Sequence, residues 1–187
     1  SAPCRPVTWY GESKRQAEEA ARRFAGRLAV TVVRPPAVYG PRDVDLLAVF
    51  RAADRGLRLV LGDRPRRYQF VFAPDLASAL LRAARAPRCA GRTYFVAHDP
   101  EVLRPEEFAL HAARALGRRT RDLRVPFSLF RLVGRLGDLG AQWTGKAPLV
   151  NAQRVRELAP LAYLCSSEAF ARDAGFRAPT PVAEGTA

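Results

Sequence analysis

A run of apolar, largely β-branched residues, Leu28 to Val33 (LAVTVV), directly follows a stretch of helix formers, Gly11 to Gly26 (GESKRQAEEAARRFAG). The run is short and lacks polar alternation, the mark of a strand covered on both faces in a parallel sheet. The stretch before it closes on a glycine and carries charge over most of its surface, as an exposed helix does. Helix followed by doubly covered strand predicts an α/β fold with a parallel sheet.

The rest of the chain continues the pattern. Pro35 and Pro36 stop any ladder, a turn is expected at Tyr39-Gly40-Pro41, and Val44 to Ala53 reads as helix. Leu57 to Leu61, Phe70 to Phe72 and Thr93 to Ala97 read as strands, and Pro74 to Ala84 as a helix with proline in its first turn. Pro105 to Leu116 and Pro126 to Leu139 also read as helices. The second puts Leu129, Leu132, Val133, Leu136 and Leu139 on one stripe, expected to pack in the core, with lining or covering an apolar pocket as its other role.

Charge alone points toward nucleic acid: 31 Lys and Arg stand against 18 Asp and Glu, a formal +13. The distribution points away from it. Lysine occurs only at Lys14 and Lys146, and the other 29 basic residues are arginines scattered through an alanine-rich chain, with no block of five or six like charges. No nucleic-acid partner is expected. Cys4, Cys89 and Cys165 show no metal-ligand spacing with each other or with His98 and His111, so no metal site and a reducing cytoplasm are expected. No run of 18 apolar residues exists, so no membrane span is expected either.

Two glycine clusters imitate phosphate-binding loops. Gly134, Gly137 and Gly140 (GRLGDLG) continue a helical pattern where a cofactor loop follows a buried strand. Gly140 to Ala147 (GAQWTGKA) has alanine where the magnesium-binding Ser or Thr belongs, leaving Lys146 an ordinary solvated lysine. Helix termination and a loop are the expected roles of both.

Tyr10 and Lys14, in WYGESK, are four residues apart, so on a helix they share one face. A free phenol is a poor base at neutral pH, and a nearby ammonium favours phenolate, which makes proton exchange with a substrate hydroxyl feasible. A compact ammonium on a flexible stem can also donate to ribose hydroxyls, which distinguishes it from the arginine used almost everywhere else.

The neighbourhood extends this pair. Pro6, Tyr10, Gly11, Ser13, Lys14 and Glu18 spell PxxxYGxSKxxxE, and Arg34 to Pro41 (RPPAVYGP) follows the strand. Phe70 to Ala77 (FVFAPDLA), Arg92 to Val96 (RTYFV) and Ala174 to Pro179 (AGFRAP) come later in the same order. Together these segments resemble the extended short-chain dehydrogenase/reductase family, the NAD-dependent epimerase/dehydratase group, with the 3β-hydroxysteroid dehydrogenase-like branch nearest.

The resemblance implies the C-terminal part of a Rossmann-type parallel-sheet fold plus a smaller, mostly helical substrate-binding domain. Residues 1–41 would end the Rossmann-type domain, 42–67 belong to the substrate domain, 68–98 return to the sheet, and 99–187 form the substrate-binding C-terminal region. It implies NAD or NADP as cofactor and a small-molecule substrate, with a homodimer as the candidate assembly. Tyr10 matches the general acid/base, and Lys14 the lysine that favours its phenolate and holds the nicotinamide ribose. The backbone of Pro35, Pro36, Ala37 and Val38 matches the segment beside the nicotinamide carboxamide. Asp75 is expected to cap the following helix, and Glu18 to pair with Lys14 or solvent.

The departures matter as well. The glycine-rich loop and the substrate-orienting Ser or Thr belong upstream of the tyrosine. Ser1 stands too close to Tyr10 to be that residue, and Ser13 belongs to the YGxSK pattern itself. The expectation is a C-terminal portion that stops just short of the family's last helix and is inactive by itself. Sugar-nucleotide members often carry arginine two residues before the FVFAPDLA phenylalanine; Tyr68 stands there, with Arg66 and Arg67 set back. Tyr39, Arg67 and Tyr68 are candidate substrate contacts, and an apolar alcohol or ketone, such as a sterol-, terpenoid- or flavonoid-like molecule, is the expected substrate. A nucleotide-sugar epimerase or dehydratase, or a non-catalytic dinucleotide sensor or interaction protein of the same fold, are the alternatives.

Overall fold

The first helix is set by Thr8. Its backbone is extended, and its Oγ1 accepts the Gly11 N–H at 3.1 Å, satisfying one of the donors that a helix start leaves open. Helix α1 therefore runs Trp9–Arg22, beginning two residues before the expected Gly11. Beyond Arg22 the chain tightens into i→i−3 bonds, from Phe24 to Ala21, Ala25 to Arg22 and Arg27 to Phe24, and is still turning at Leu28. The predicted strand is correspondingly shorter: β1 spans Val32–Arg34, half-buried, and Leu28 is exposed. The computed structural model describes residues 4–99, 101–144, 148 and 150–187. Ser1 and Lys146, both weighed above, lie outside the described residues.

Pro35 and Pro36 offer no N–H, so the ladder stops at Arg34 and the chain changes partner. Strand β2 (Ala37–Tyr39) follows, then α2 (Leu47–Asp54), β3 (Leu57–Leu61), β4 (Arg67–Tyr68), β5 (Phe70–Phe72) and α3 (Ala73–Arg85). After these come β6 (Thr93–Phe95), α4 (Pro105–Ala115), β7 (Arg121–Val125), α5 (Phe127–Thr144), α6 (Ala152–Glu157), β8 (Ala162–Tyr163), α7 (Glu168–Ala174) and α8 (Val182–Gly185). All strand ladders are parallel: β1 with β6, β2 with β5, β3 with β7 and β4 with β8. The architecture is α/β, with parallel strand pairs and helices alternating along the chain. Gly40 leaves β2 at φ +150°, and a Cβ there would lie 3.1 Å from that of Ala73, so this turn requires glycine.

Strand β7 reads poorly from sequence because three of its five residues are charged. Its pairing explains it: Arg58 on β3 faces Asp122 on β7 in register, and Arg58 Nε donates to Asp122 Oδ1 at 2.7 Å. Two apolar clusters hold the chain together. One joins Val71, Ala79, Ala83, Cys89, Tyr94, Val96 and Phe170; the other joins Tyr39, Tyr68, Phe70, Phe108 and Val182. In the second, the rings of Phe70 and Phe108 stack at 4.8 Å between centroids.

Helix α5 corrects two expectations. It runs through GRLGDLG, so these glycines do not terminate it. Gly134 and Gly137 are its packing side: a Cβ on Gly134 would come within 2.7 Å of Val155 on α6, and one on Gly137 would collide with the Val150 carbonyl. Because the glycines and Phe130 face inward, the leucine stripe faces outward. Leu129, Leu132, Val133, Leu136 and Leu139 are all exposed, where the periodicity predicts core.

Candidate active site

Helix α1 presents three sides. Its Glu18 and Arg22 reach the strands: Arg34 donates to both carboxylate oxygens of Glu18 at 2.8 and 2.7 Å, and Arg22 donates to the Thr93 hydroxyl. Glu18 thus pairs across to β1, not with Lys14 or solvent as expected. A second side carries Glu12, Arg15 and Glu19 in one ion-pair network, in which Arg15 holds the Glu12 carboxyl down at about 2. Tyr10 and Lys14 occupy the third, with Lys14 Nζ 5.2 Å from the Tyr10 ring centroid and both side chains exposed.

The two bridges to the strands orient the pair. Arg22 meets Thr93, which stands level with Val32, whereas Glu18 meets Arg34 at the other end of β1. Helix α1 therefore runs antiparallel to β1. Lys14 and Tyr10 lie one and two turns further on, about 6 and 12 Å past Glu18 along the axis, beyond the carboxyl end of β1. In open α/β sheets that end is where ligands bind. Pro35, Pro36, Ala37 and Val38 continue from the same end and are half-buried.

The other candidates go elsewhere. Tyr39 is only 2% exposed, packs edge-on against Phe108, and donates its hydroxyl to Pro181 O at 3.3 Å. Burial, with Glu101, Asp75 and Glu184 nearby, pushes that phenol far above its ordinary range. Tyr68 is buried against Tyr163, and its hydroxyl donates to Pro160 O at 3.4 Å; burial raises this phenol too. Arg67 is exposed on β4. Arg66, the other arginine set back from Tyr68, is buried over the Phe127 ring at 5.0 Å and donates to the carbonyls of Leu61 and Leu158. The structure therefore brings Tyr10 and Lys14 together, and separately gathers Tyr39 and Tyr68 into one apolar cluster.

The positioning roles of three residues escaped the sequence reading. Thr8 fixes the start of α1 two residues before Tyr10, and a threonine just ahead of a helical run is a capping signal that could have found it. Arg34 anchors the helix to the strand, a pairing that no local pattern announces. Asp75 does not cap α3, whose N-cap is Phe72. Its carboxylate accepts the Thr180 N–H at 2.9 Å and the Thr180 hydroxyl at 3.1 Å, tying the C-terminal segment to α3. Among the described residues no cluster of three or more His, Cys, Asp or Glu is placed to hold a metal.

A model of the NAD dependent epimerase/dehydratase family matches residues 1–97. Ceramide reductase of Caulobacter vibrioides (strain NA1000 / CB15N) is 29% identical over 159 residues, covering 80% of this chain and 46% of that protein. The N-acetyl-alpha-D-glucosaminyl-diphospho-ditrans,octacis-undecaprenol 4-epimerase of Escherichia coli O157:H7 is 21% identical, covering 98% of this chain and 56% of that protein. The chain thus spans about half the length of these curated relatives. The solved dTDP-glucose 4,6-dehydratase of Bacillus anthracis str. Ames, in complex with NAD, superposes with a TM-score of 0.67 at 15% identity, covering 100% of this chain and 52% of that one.

Proposed function

The chain belongs to the NAD dependent epimerase/dehydratase family, and on that premise we propose that it supplies the proton-transferring pair and the substrate side of an NAD- or NADP-dependent oxidoreductase or epimerase. The observation that carries the proposal is the placement of Tyr10 and Lys14 on one exposed face of α1, past the carboxyl end of β1.

The residues fit one end of a nicotinamide dinucleotide. A bound nicotinamide supplies hydride exchange with a carbon bearing a hydroxyl or carbonyl. Tyr10 would pass the matching proton to or from the substrate oxygen, and Lys14 would stabilise the charged phenolate and hold the ribose hydroxyls. The backbone from Pro35 to Val38 would border the carboxamide. Gly134 and Gly137, engaged in packing α5 on α6, hold no phosphate. We assign 1–41 and 68–98 to the sheet side, supported by the β1–β6 and β2–β5 ladders, and 42–67 and 99–187 to the substrate side.

For the substrate we favour an apolar alcohol or ketone. Tyr68 stands where a diphosphate-binding arginine would be, Arg66 is committed to the interior, and Tyr39 and Tyr68 are packed into an apolar core instead of reaching a substrate. The name of the ceramide reductase relative agrees with this reading; that of the epimerase names a sugar diphosphate carried on undecaprenol, and that of the dehydratase a sugar nucleotide. Hydride transfer by the full-length protein, assayed with long-chain keto-lipids against UDP- and dTDP-sugars, separates the two. Turnover of the sugar nucleotides alone would overturn the apolar assignment.

A further inference from the structure

The structure leaves one large apolar face without a partner among the described residues. On α5, Leu129, Leu132, Val133, Leu136, Leu139 and Trp143 recur at helical spacing on the side opposite the glycines, each between 44% and 90% exposed. Trp143, at the helix end, is the most exposed of them.

We propose that this face is an interfacial anchor: α5 lies in the plane of an anionic lipid bilayer surface, its leucines and Trp143 entering the boundary of headgroups and acyl chains. The surrounding charge matches that occupant. Residues 114–144 contain seven arginines and two aspartates; of the arginines, Arg118 is paired with Asp54 and Arg131 lies over the Phe127 ring at 5.4 Å. Asp122 is paired with Arg58, and Asp138 is turned inward to accept the Ala152 N–H at 3.0 Å. Arg131 and Arg135 are exposed beside the stripe. An apolar face with an aromatic end and an arginine-bearing polar side is the signature of an in-plane helix, and among the described residues no helix is long and apolar enough to cross a membrane.

A second copy is a poorer occupant. Two-fold antiparallel pairing centred near Leu136 would set the Arg135 of each copy beside that of the other, like charge against like. The anchor is independent of the proton-transfer reading, and it would bring a membrane-dissolved substrate to the protein.

The test is sedimentation of the full-length protein with vesicles of phosphatidylcholine alone and of phosphatidylcholine with phosphatidylglycerol, alongside sedimentation velocity without lipid. Binding to the anionic vesicles is expected. Leu132→Glu/Leu136→Glu should abolish it while leaving the thermal unfolding midpoint nearly unchanged, since both side chains are exposed. Arg131→Gln/Arg135→Gln should weaken it by roughly 25-fold, at about fivefold per arginine near an anionic surface. Absence of vesicle binding, or equal binding by the double-glutamate variant, would overturn the proposal. So would a wild-type dimer that the double-glutamate variant converts to monomer, which assigns the face to a second copy.

Discussion

Glu18 and Arg34 lock the first helix to the first strand through two hydrogen bonds of 2.7 and 2.8 Å between guanidinium and carboxylate. The side chains are 21% and 32% exposed, so the pair contributes about 0.5–1 kcal/mol, near the top of the surface range. Hydrogen bonding to Arg34 holds the Glu18 carboxyl below its ordinary value, against the opposing effect of its burial. The pair's stabilisation is therefore complete above the unfolded carboxylate value and is lost as pH falls through the lower folded one. Glu18→Gln should lower the melting temperature by about 1–4 °C at neutral pH and flatten the acid side of the stability profile, as followed by circular dichroism.

Tyr10→Phe in the full-length protein should cut turnover by roughly 10²–10⁴-fold, the range for losing a general acid/base, with cofactor affinity nearly unchanged. Lys14→Arg keeps the charge but loses the compact ammonium, so it should lower turnover and weaken cofactor binding together. Steady-state kinetics with a parallel NADH and NADPH fluorescence titration read both. Unchanged turnover in Tyr10→Phe would remove the assigned role.

What was legible in the sequence was local in origin. The Tyr10–Lys14 spacing needed only the helical period, and LRLVL and FVF became β3 and β5 residue for residue, because apolar β-formers between turn residues leave few alternatives. What stayed hidden depended on distant partners. Strand β7 breaks its apolar pattern at Arg121, Asp122 and Arg124 and is held by β3, and Glu18 and Asp75 find partners that no window contains. The α5 stripe shows the limit of periodicity itself. The spacing identifies which face is apolar but not which side packs, and here the glycines pack closer than leucines could.

The glycines of α5 should therefore respond in opposite ways to the same change. Gly134→Ala places a methyl 2.7 Å from Val155 and 3.2 Å from the Asn151 carbonyl, and displacing α6 should cost about 1–3 kcal/mol. A Cβ at Gly140 meets nothing within 4 Å, so Gly140→Ala should stabilise by up to about 1 kcal/mol through helix propensity. Urea unfolding of both variants gives the comparison; equal effects would mean that α6 does not pack on Gly134.

Tyr94 predicts the alkaline behaviour. It is 3% exposed and donates to Asp173 at 2.8 Å, while Arg92 and Arg172 share that carboxylate and Cys89 lies beside the phenol. Burial first, then the Asp173 bond, pushes the Tyr94 phenol up to about 12. Its contribution is complete below the unfolded value near 10 and is lost as pH rises through about 12. Tyr94→Phe should cost about 1.5 kcal/mol at neutral pH, and its deficit against wild type should narrow as pH rises above about 10. A deficit that stays constant to high pH would contradict the hydrogen-bonded, protonated state.

Asp75 joins α3 to a segment more than a hundred residues away, and the consequence reaches the core cluster around Tyr39. The Asp75–Thr180 bonds fix the residue just before Pro181, whose carbonyl accepts the Tyr39 hydroxyl and whose neighbour Val182 starts α8 over the Tyr39 ring. Asp75→Ala leaves the Thr180 N–H without its acceptor, at a cost of about 1–3 kcal/mol. Asp75→Asn retains one acceptor and can turn its amide toward the Thr180 hydroxyl, so it should cost less than the alanine. Hydrogen exchange should then quicken across residues 180–186 in the alanine variant and leave α1 unaffected. Acceleration confined to α3 would show that the carboxylate serves its own helix.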